Sequence, residues 1–367
     1  MQDDFKKQMT VDEIKKVLSA AYVKLIKKKY PFKSFPSVML WGAPGVGKSQ
    51  GVKQIAKEIE QKTGKKVVVT DVRLLLFNPV DLRGIPTANA ERTLAVWLKP
   101  QIFQMDESED VVNILFLDEI SAAPPSVQAA AYQITLDRVI GEHRLPDNCI
   151  VIAAGNRVSD KSVAYNMPKA LANRLLHLDV CVNSEAWLSW ATANGINGIV
   201  TGFLAYRPSA LTGSDAYGSD GTNAFPTPRS WEMVSNILNV LNCDTDSAYP
   251  LIRGCVGDSV AEEFVLWAEV FNKIPSAKEV CEGLNFGVPT RLEAIYAIVF
   301  SIIEYLKNNH GEESVFNAVK YVEKIPQREF RHNFFNYVYN IREVRKVALK
   351  TNSFSDWLRK NGLDADD

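Results

Sequence analysis

One short glycine-rich run limits this chain to a small set of folds. Residues Gly42, Ala43, Pro44, Gly45, Val46, Gly47, Lys48 and Ser49 follow the apolar run Ser37-Val38-Met39-Leu40-Trp41. They lead into GKSQGVKQIAKEIE, which has helical character. A buried strand, a tight turn and a helix in this order fit the phosphate-binding loop pattern G-x-x-x-x-G-K-[ST]. The glycines let backbone N–H groups converge on a polyphosphate. The helix start, with Gln50 in its first turn, adds positive partial charge. Lys48 has the reach for β- and γ-phosphates, and Ser49 offers a hydroxyl to magnesium. Gly47-Lys48-Ser49-Gln50-Gly51 also fits a hydrolase nucleophile elbow, which needs a later acid and a histidine base. None of the four histidines has a local signature of that kind, and the longer match takes precedence.

A second motif, Asn113-Ile114-Leu115-Phe116-Leu117-Asp118-Glu119, lies further along the chain. A central strand ending in Asp118 places a carboxylate beside the magnesium. Glu119, one residue on, is placed to polarise a water for attack on the γ-phosphate. Together the two motifs imply a nucleoside triphosphatase that works with magnesium. Around them strands and helices alternate. Strands are expected at Val38–Trp41, Lys66–Thr70, Val112–Leu117, Cys149–Ala154 and Leu176–Val182, and helices at Lys48–Glu60, Pro124–Asp137 and Pro168–Arg174. Such alternation predicts a parallel sheet covered by helices on both faces. Thr10 and Glu13 form a capping box before an N-terminal helix. After Val182 the pattern turns helical, at Glu185–Asn194, Ile199–Tyr206, Pro228–Leu241, Phe264–Phe271 and from Leu284 onward, interrupted by a polar loop over Thr212–Asn223.

Composition excludes several classes. Lys plus Arg is 42 against 43 for Asp plus Glu, a net charge of −1, which leaves no bulk footprint for nucleic acid. Five scattered cysteines without a CxxC pair suit reduced thiols and a cytoplasmic protein. No apolar leader follows the basic start. The longest apolar run, near Ala294 to Ile303, falls short of the roughly 20 residues a membrane span requires.

The motifs in combination resemble those of the AAA+ ATPases, and within them the MoxR-like, dynein-related group, over about Pro36 to Phe271. GAPGVGKS and ILFLDEIS are similar to that group's Walker A and Walker B. Asn78-Pro79-Val80-Asp81-Leu82-Arg83-Gly84-Ile85-Pro86 resembles the segment before its helix-2 insert. Ala153-Ala154-Gly155-Asn156-Arg157 resembles sensor 1, Met167 to Arg174 the arginine-finger helix, and Pro226-Thr227-Pro228-Arg229-Ser230-Trp231 the start of the sensor 2 helix.

The resemblance implies a fold and a division into domains: an N-terminal helix (1–35), an α/β P-loop AAA+ domain (36–182), an α-helical lid (183–274) and a helical C-terminal extension (275–367). It implies ATP as the nucleotide, with contacts from Gly42 to Gln50, magnesium on Ser49 and Asp118, and Glu119 as base. Asn156 orients water, and Arg174 and Arg229 reach a neighbouring subunit's nucleotide, with Arg138 and Arg157 as further candidates. It implies hairpins at Arg83–Phe103 and Val139–Asp147 lining a ring pore. Trp97 and His143 there either touch substrate or, for Trp97, pack the hairpin. Lys33–Ser37 and the sensor 2 helix are the expected adenine walls. The expected assembly is a hexamer that remodels a protein client, with a von Willebrand factor A domain partner. Alternatives are a nucleic-acid-translocating or restriction-type motor, a slow nucleotide switch, and a small-molecule kinase.

Overall fold

The computed structural model describes residues 8–157, 160, 165, 167, 172–213, 223–272, 274–284 and 287–363. The expected helix at Pro168–Arg174 lies outside them over 168–171, the polar loop over 214–222, and the polar tail from Asp364. The chain divides into two compact units, Met1–Val182 and Asn183–Asp367.

The first unit opens with α1 (Val11–Lys27), whose capping box is formed by Thr10 and Glu13. Then come β1 (Val38–Trp41), α2 (Lys48–Thr63), β2 (Lys66–Arg73), α3 (Pro79–Arg83), β3 (Ile85–Ala88), β4 (Ala95–Leu98), β5 (Val111–Asp118) and α4 (Pro125–Asp137). After β6 (Val139–Ile140) and β7 (His143–Arg144), β8 (Cys149–Gly155) and β9 (Leu176–Asp179) complete it. Five strands form one parallel sheet in the order β2-β5-β8-β1-β9. Alternate residues of each strand serve opposite faces. Val38, Leu40, Ile114, Phe116, Ile150 and Ile152 pack with Ile14 and Leu18 of α1 and Val52, Ile55 and Ile59 of α2. Met39, Leu115, Leu117, Val151 and Ala153 pack with Val127, Ala130, Ala131 and Ile134 of α4. Both faces are therefore buried, as the continuous apolar reading of these strands requires, and each such side chain stabilises the fold by about 1.5–3 kcal/mol.

Two expectations shift at the sheet edges. β2 runs past Thr70 to Arg73 because it stays in register with β5 to the end, Arg73 opposite Asp118. β9 stops at Asp179 rather than Val182, since its partner β1 ends at Trp41. Val180 pairs instead with Met9. The N-terminal helix contributes Ile14, Leu18, Tyr22, Val23, Leu25 and Ile26 to the core over α2.

The second unit is helical: α5 (Ser184–Ala193), α6 (Gly198–Tyr206), α7 (Pro228–Val240), α8 (Thr245–Val256), α9 (Asp258–Asn272), α10 (Ala277–Cys281), α11 (Leu292–Asn308), α12 (Glu312–Glu323), α13 (Arg328–Asn340), α14 (Arg342–Ala348) and α15 (Asn352–Asn361). Its centre is aromatic, with Phe203, Trp231, Phe264 and Trp267 in mutual contact. Helices on either side of residue 275 pack together in this unit. Gly198 and Gly202 of α6 let α11 approach closely, with Phe300 3.3 Å from where a Cβ on Gly202 would stand. Phe300 in turn meets Tyr337 of α13 edge-on.

Candidate active site

The phosphate-binding loop joins β1 to α2 on the C-terminal edge of the sheet. Gly45 (φ 79°) and Gly47 (φ 97°) take left-handed conformations that a side chain would strain. Gly47 is the N-cap of α2, and no side chain caps this helix. Its first amides are thus left for an anionic ligand. Lys48 is buried, and its ammonium donates to the carbonyls of Gly42 and Ala43 (3.0 Å for the latter) and to Asn156 Oδ1 at 2.9 Å.

Strand order explains why Asn156 arrives there. β8 lies between β1 and β5, so the residue after it falls between Lys48 and the acids that end β5. Ser121 Oγ accepts the Asn156 amide at 2.8 Å and fixes the loop. Ser49 Oγ donates to Asp118 Oδ2 at 2.7 Å. Asp118 Oδ1 accepts the Glu119 amide at 2.9 Å. Glu119 is half-buried and has φ 58°, a left-handed backbone that costs a non-glycine residue about 1–2 kcal/mol. Strain of this kind concentrates at functional sites. Partial desolvation, and then the Asp118 carboxylate, raise the Asp71 carboxyl above its usual range. The Ser49 hydroxyl and Asp118 carboxylate in contact, beside an Asp71 whose ionised form the Asp118 charge disfavours, are hard oxygen donors of the kind a magnesium ion satisfies.

The arginines separate into two groups. Arg138 donates to the carbonyls of Cys149 (2.6 Å) and Phe35 (3.3 Å), and burial lowers its pKa. Arg157 pairs with Asp179 at 2.6 Å. Both are occupied within their own unit. Arg174 is exposed and has no ion pair among the described residues. It precedes Leu176, which pairs with Val38 at the start of β1, so it lies at the sheet edge opposite the P-loop. With Lys33 and Arg144 it lines a cavity of about 630 Å³ there. Arg229 lies in the second unit, exposed in the first turn of α7, which Thr227 caps.

Lys33, Phe35, Pro36 and Ser37, from the Lys33–Ser37 segment expected as an adenine wall, line the cavity at the far edge, because they precede β1 while the P-loop follows it. Beside the loop is Val11, in contact range of Cβ positions on Gly47 and Gly51. Met9 is tied to β9 by bonds to Asp179 O (2.8 Å) and from Cys181 N (2.9 Å). Both inserts are antiparallel hairpins, β3–β4 and β6–β7. They meet where His143 Nε2 bonds the Trp97 carbonyl at 2.8 Å.

Ser121 and Asp179 hold Asn156 and Arg157 in place, yet the sequence reading gave neither a role. Ser121 was visible as the last letter of ILFLDEIS. Asp179 had no sequence signal.

Residues 37–177 match the family described as "ATPase family associated with various cellular activities (AAA)". This segment is an AAA-family ATPase domain. Its activity is ATP hydrolysis, and ATP is its nucleotide. No curated protein matches the chain. Among solved structures, a mutant RuvB from Thermotoga maritima is similar at 17% identity, covering 80% of this chain and 83% of that one, with a TM-score of 0.37. NtrX from Brucella abortus in complex with ADP is 15% identical over 95% of this chain and 66% of that one, TM-score 0.34. PCH-2 from C. elegans is 14% identical over 84% and 72%, TM-score 0.33. At such values the assignment rests on the family match, not on these structures. Among the described residues no helix is long and apolar enough to cross a membrane.

Proposed function

We propose that this chain is a MoxR-like AAA+ ATPase that works as an oligomer, a hexamer by resemblance, and uses ATP hydrolysis to remodel a protein partner in the cytoplasm. The reading is carried by one observation: Arg174 is exposed, without an ion pair among the described residues, at the sheet edge opposite its own P-loop. Gly42 to Gln50 cradle the phosphates, with Lys48 turning from loop carbonyls to the β- and γ-oxygens. Ser49 and Asp118 hold magnesium. When bound, that ion neutralises phosphate charge. Glu119 accepts the proton of the attacking water, and Asn156 orients that water. Arg174 of the adjacent copy offsets charge that develops on the γ-phosphate. Arg229 is a second cation for a neighbouring nucleotide. Val11 and Val180, on either side of the glycine loop, are apolar walls suited to a base. The helical segment from 183 serves as lid and extension, and the two hairpins face the client.

Mixing tests the central claim. Arg174→Ala subunits keep an intact P-loop, and Lys48→Ala subunits keep an intact finger. Mixed assemblies should recover part of the activity that each lacks alone. Absence of recovery, once mixed assembly is verified by mass spectrometry, removes Arg174 from the role. A pull-down with Glu119→Gln identifies the client and tests for a von Willebrand factor A domain partner. Turnover stimulated by DNA would favour a nucleic-acid motor instead.

A further inference from the structure

Trp41 ends β1 immediately before the phosphate-binding loop, and its indole N–H donates to His177 Nδ1 at 2.8 Å. The two rings are nearly coplanar and meet edge to edge, their centroids 6.1 Å apart and their planes 11° from parallel, as an in-plane N–H···N bond requires. On the other side of the imidazole, Nε2 lies 2.7 Å from the Ala172 carbonyl. An indole nitrogen only donates and a carbonyl only accepts. His177 is therefore the neutral Nε2–H tautomer, accepting from Trp41 and donating to Ala172. The Ala172 carbonyl also closes a turn by accepting from Leu175 N at 3.4 Å. Arg174 sits inside that turn. Leu175 is buried in the core, and Leu176 N bonds Ser37 O at 3.0 Å to enter the sheet. The downstream side of the turn is thus held by the sheet, and His177 holds the carbonyl that closes its upstream side.

We propose that His177 is a positioning residue for Arg174: it clamps the turn that bears the arginine to the strand that bears the P-loop. The inference rests on the reading of Arg174 as the residue supplied to a neighbouring copy. Loss of the clamp leaves Arg174 present and charged but its turn free to shift. Displacement of a catalytic group by about 1 Å costs up to roughly a hundredfold in rate.

The test compares full-length His177→Phe, His177→Gln, Arg174→Ala and the double variant His177→Phe/Arg174→Ala, each with a melting temperature, kcat and KM for ATP. Phe keeps a flat ring beside Trp41 and loses both hydrogen bonds. Gln keeps a donor for Ala172. His177→Phe should lower kcat about ten- to a hundredfold with KM unchanged. His177→Gln should restore most of kcat, and the double variant should be no slower than Arg174→Ala alone. If His177→Phe fails to fold, His177→Asn carries the same expectation, since its short side chain keeps an acceptor near Trp41 but cannot carry its amide N–H out to the Ala172 carbonyl. A normal kcat for His177→Phe beside a depressed Arg174→Ala overturns the clamp alone. A raised KM, additive losses in the double variant, or losses that only track melting temperature also overturn it. Normal turnover by Arg174→Ala overturns the reading beneath it.

Discussion

Three arginines near the nucleotide domain's functional edges should respond differently to the same truncation. Arg138→Ala removes a short bond to Cys149 O (2.6 Å) and a longer one to Phe35 O (3.3 Å) from a largely buried guanidinium. A short hydrogen bond from a charged donor stabilises by about 1.5–3 kcal/mol, and a long one is nearer the ordinary figure of about 0.5–1.5 kcal/mol. Taking the short bond at about 2 and the long one at about 1 gives a loss of about 3 kcal/mol. For a unit of this size that lowers the melting temperature by about 6–12 °C. Arg157→Ala gives up a half-exposed pair with Asp179, about 1 kcal/mol after solvent screening. Arg174→Ala removes an exposed side chain with no ion pair among the described residues, so stability should change by less than about 0.5 kcal/mol. Turnover should fall about 10³–10⁵-fold, equivalent to roughly 4–7 kcal/mol of transition-state stabilisation. Thermal melts, ATP titration calorimetry and phosphate release at saturating ATP separate the three. If Arg174→Ala turns over normally, or if Arg138→Ala melts like the parent while its turnover collapses, the division into structural and catalytic arginines is wrong.

Lys48→Ala should abolish ATP binding by calorimetry, whereas Glu119→Gln should keep binding and lose phosphate release; tight binding by the first or normal hydrolysis by the second defeats the site assignment. Glu119→Gly should be inactive yet slightly more stable, by about 0.5–1 kcal/mol, because relief of the left-handed backbone exceeds the entropy glycine adds to the unfolded chain; a lower melting temperature than the parent contradicts this. A non-hydrolysable ATP analogue should raise light scattering at fixed protein concentration by favouring the assembled form, and full-rate hydrolysis by a persistent monomer would rule the assembly out. Burial pushes the Cys149 thiol up to about 11 and Cys281 up to about 12, so both should resist maleimide at pH 8 until the chain unfolds; rapid labelling of either in the folded protein refutes its burial.

The nucleotide half was legible because its constraints are local. Gly42 to Ser49 must be a loop between strand and helix, and Asp118-Glu119 must end a strand, so both motifs stand where they were expected. Short continuous apolar runs marked the central strands, whose alternate residues divide between the two buried faces. What the sequence hid was non-local. The end of β9 depends on where β1 stops, and Val180 depends on Met9, far away in the chain. The occupied state of Arg138 and Arg157 depends on carbonyls and an acid brought in by other strands. Helix α8 went unread because Pro250 and Gly254 interrupt its pattern, while Asp244 caps it and Ala248, Ile252 and Val256 bury its face. The packing of the chain beyond 275 was equally hidden, because a Pro-containing loop marks a turn in the sequence, and the approach of α11 to Gly198 and Gly202 is a long-range contact.

The order of the strands makes the arrangement of the site intelligible. All five strands run parallel, so every strand end that carries chemistry lies on one edge: the loop after β1, Asp118 and Glu119 after β5, and Asn156 after β8. Inserting β8 between the other two brings the amide of Asn156 to 2.9 Å from Lys48 with no long loop. The same parallel rule sends Arg174 away. It precedes β9, whose register with β1 is Leu176 to Val38 and Asp179 to Trp41. A strand of four residues rises about 13 Å. Arg174 thus begins one strand length from the phosphates of its own chain and on the wrong side of the sheet. No rotamer change reverses an edge of a sheet. The proposal that Arg174 serves the nucleotide of another copy is supported by this strand direction, which separates it from its own P-loop before any interface is considered.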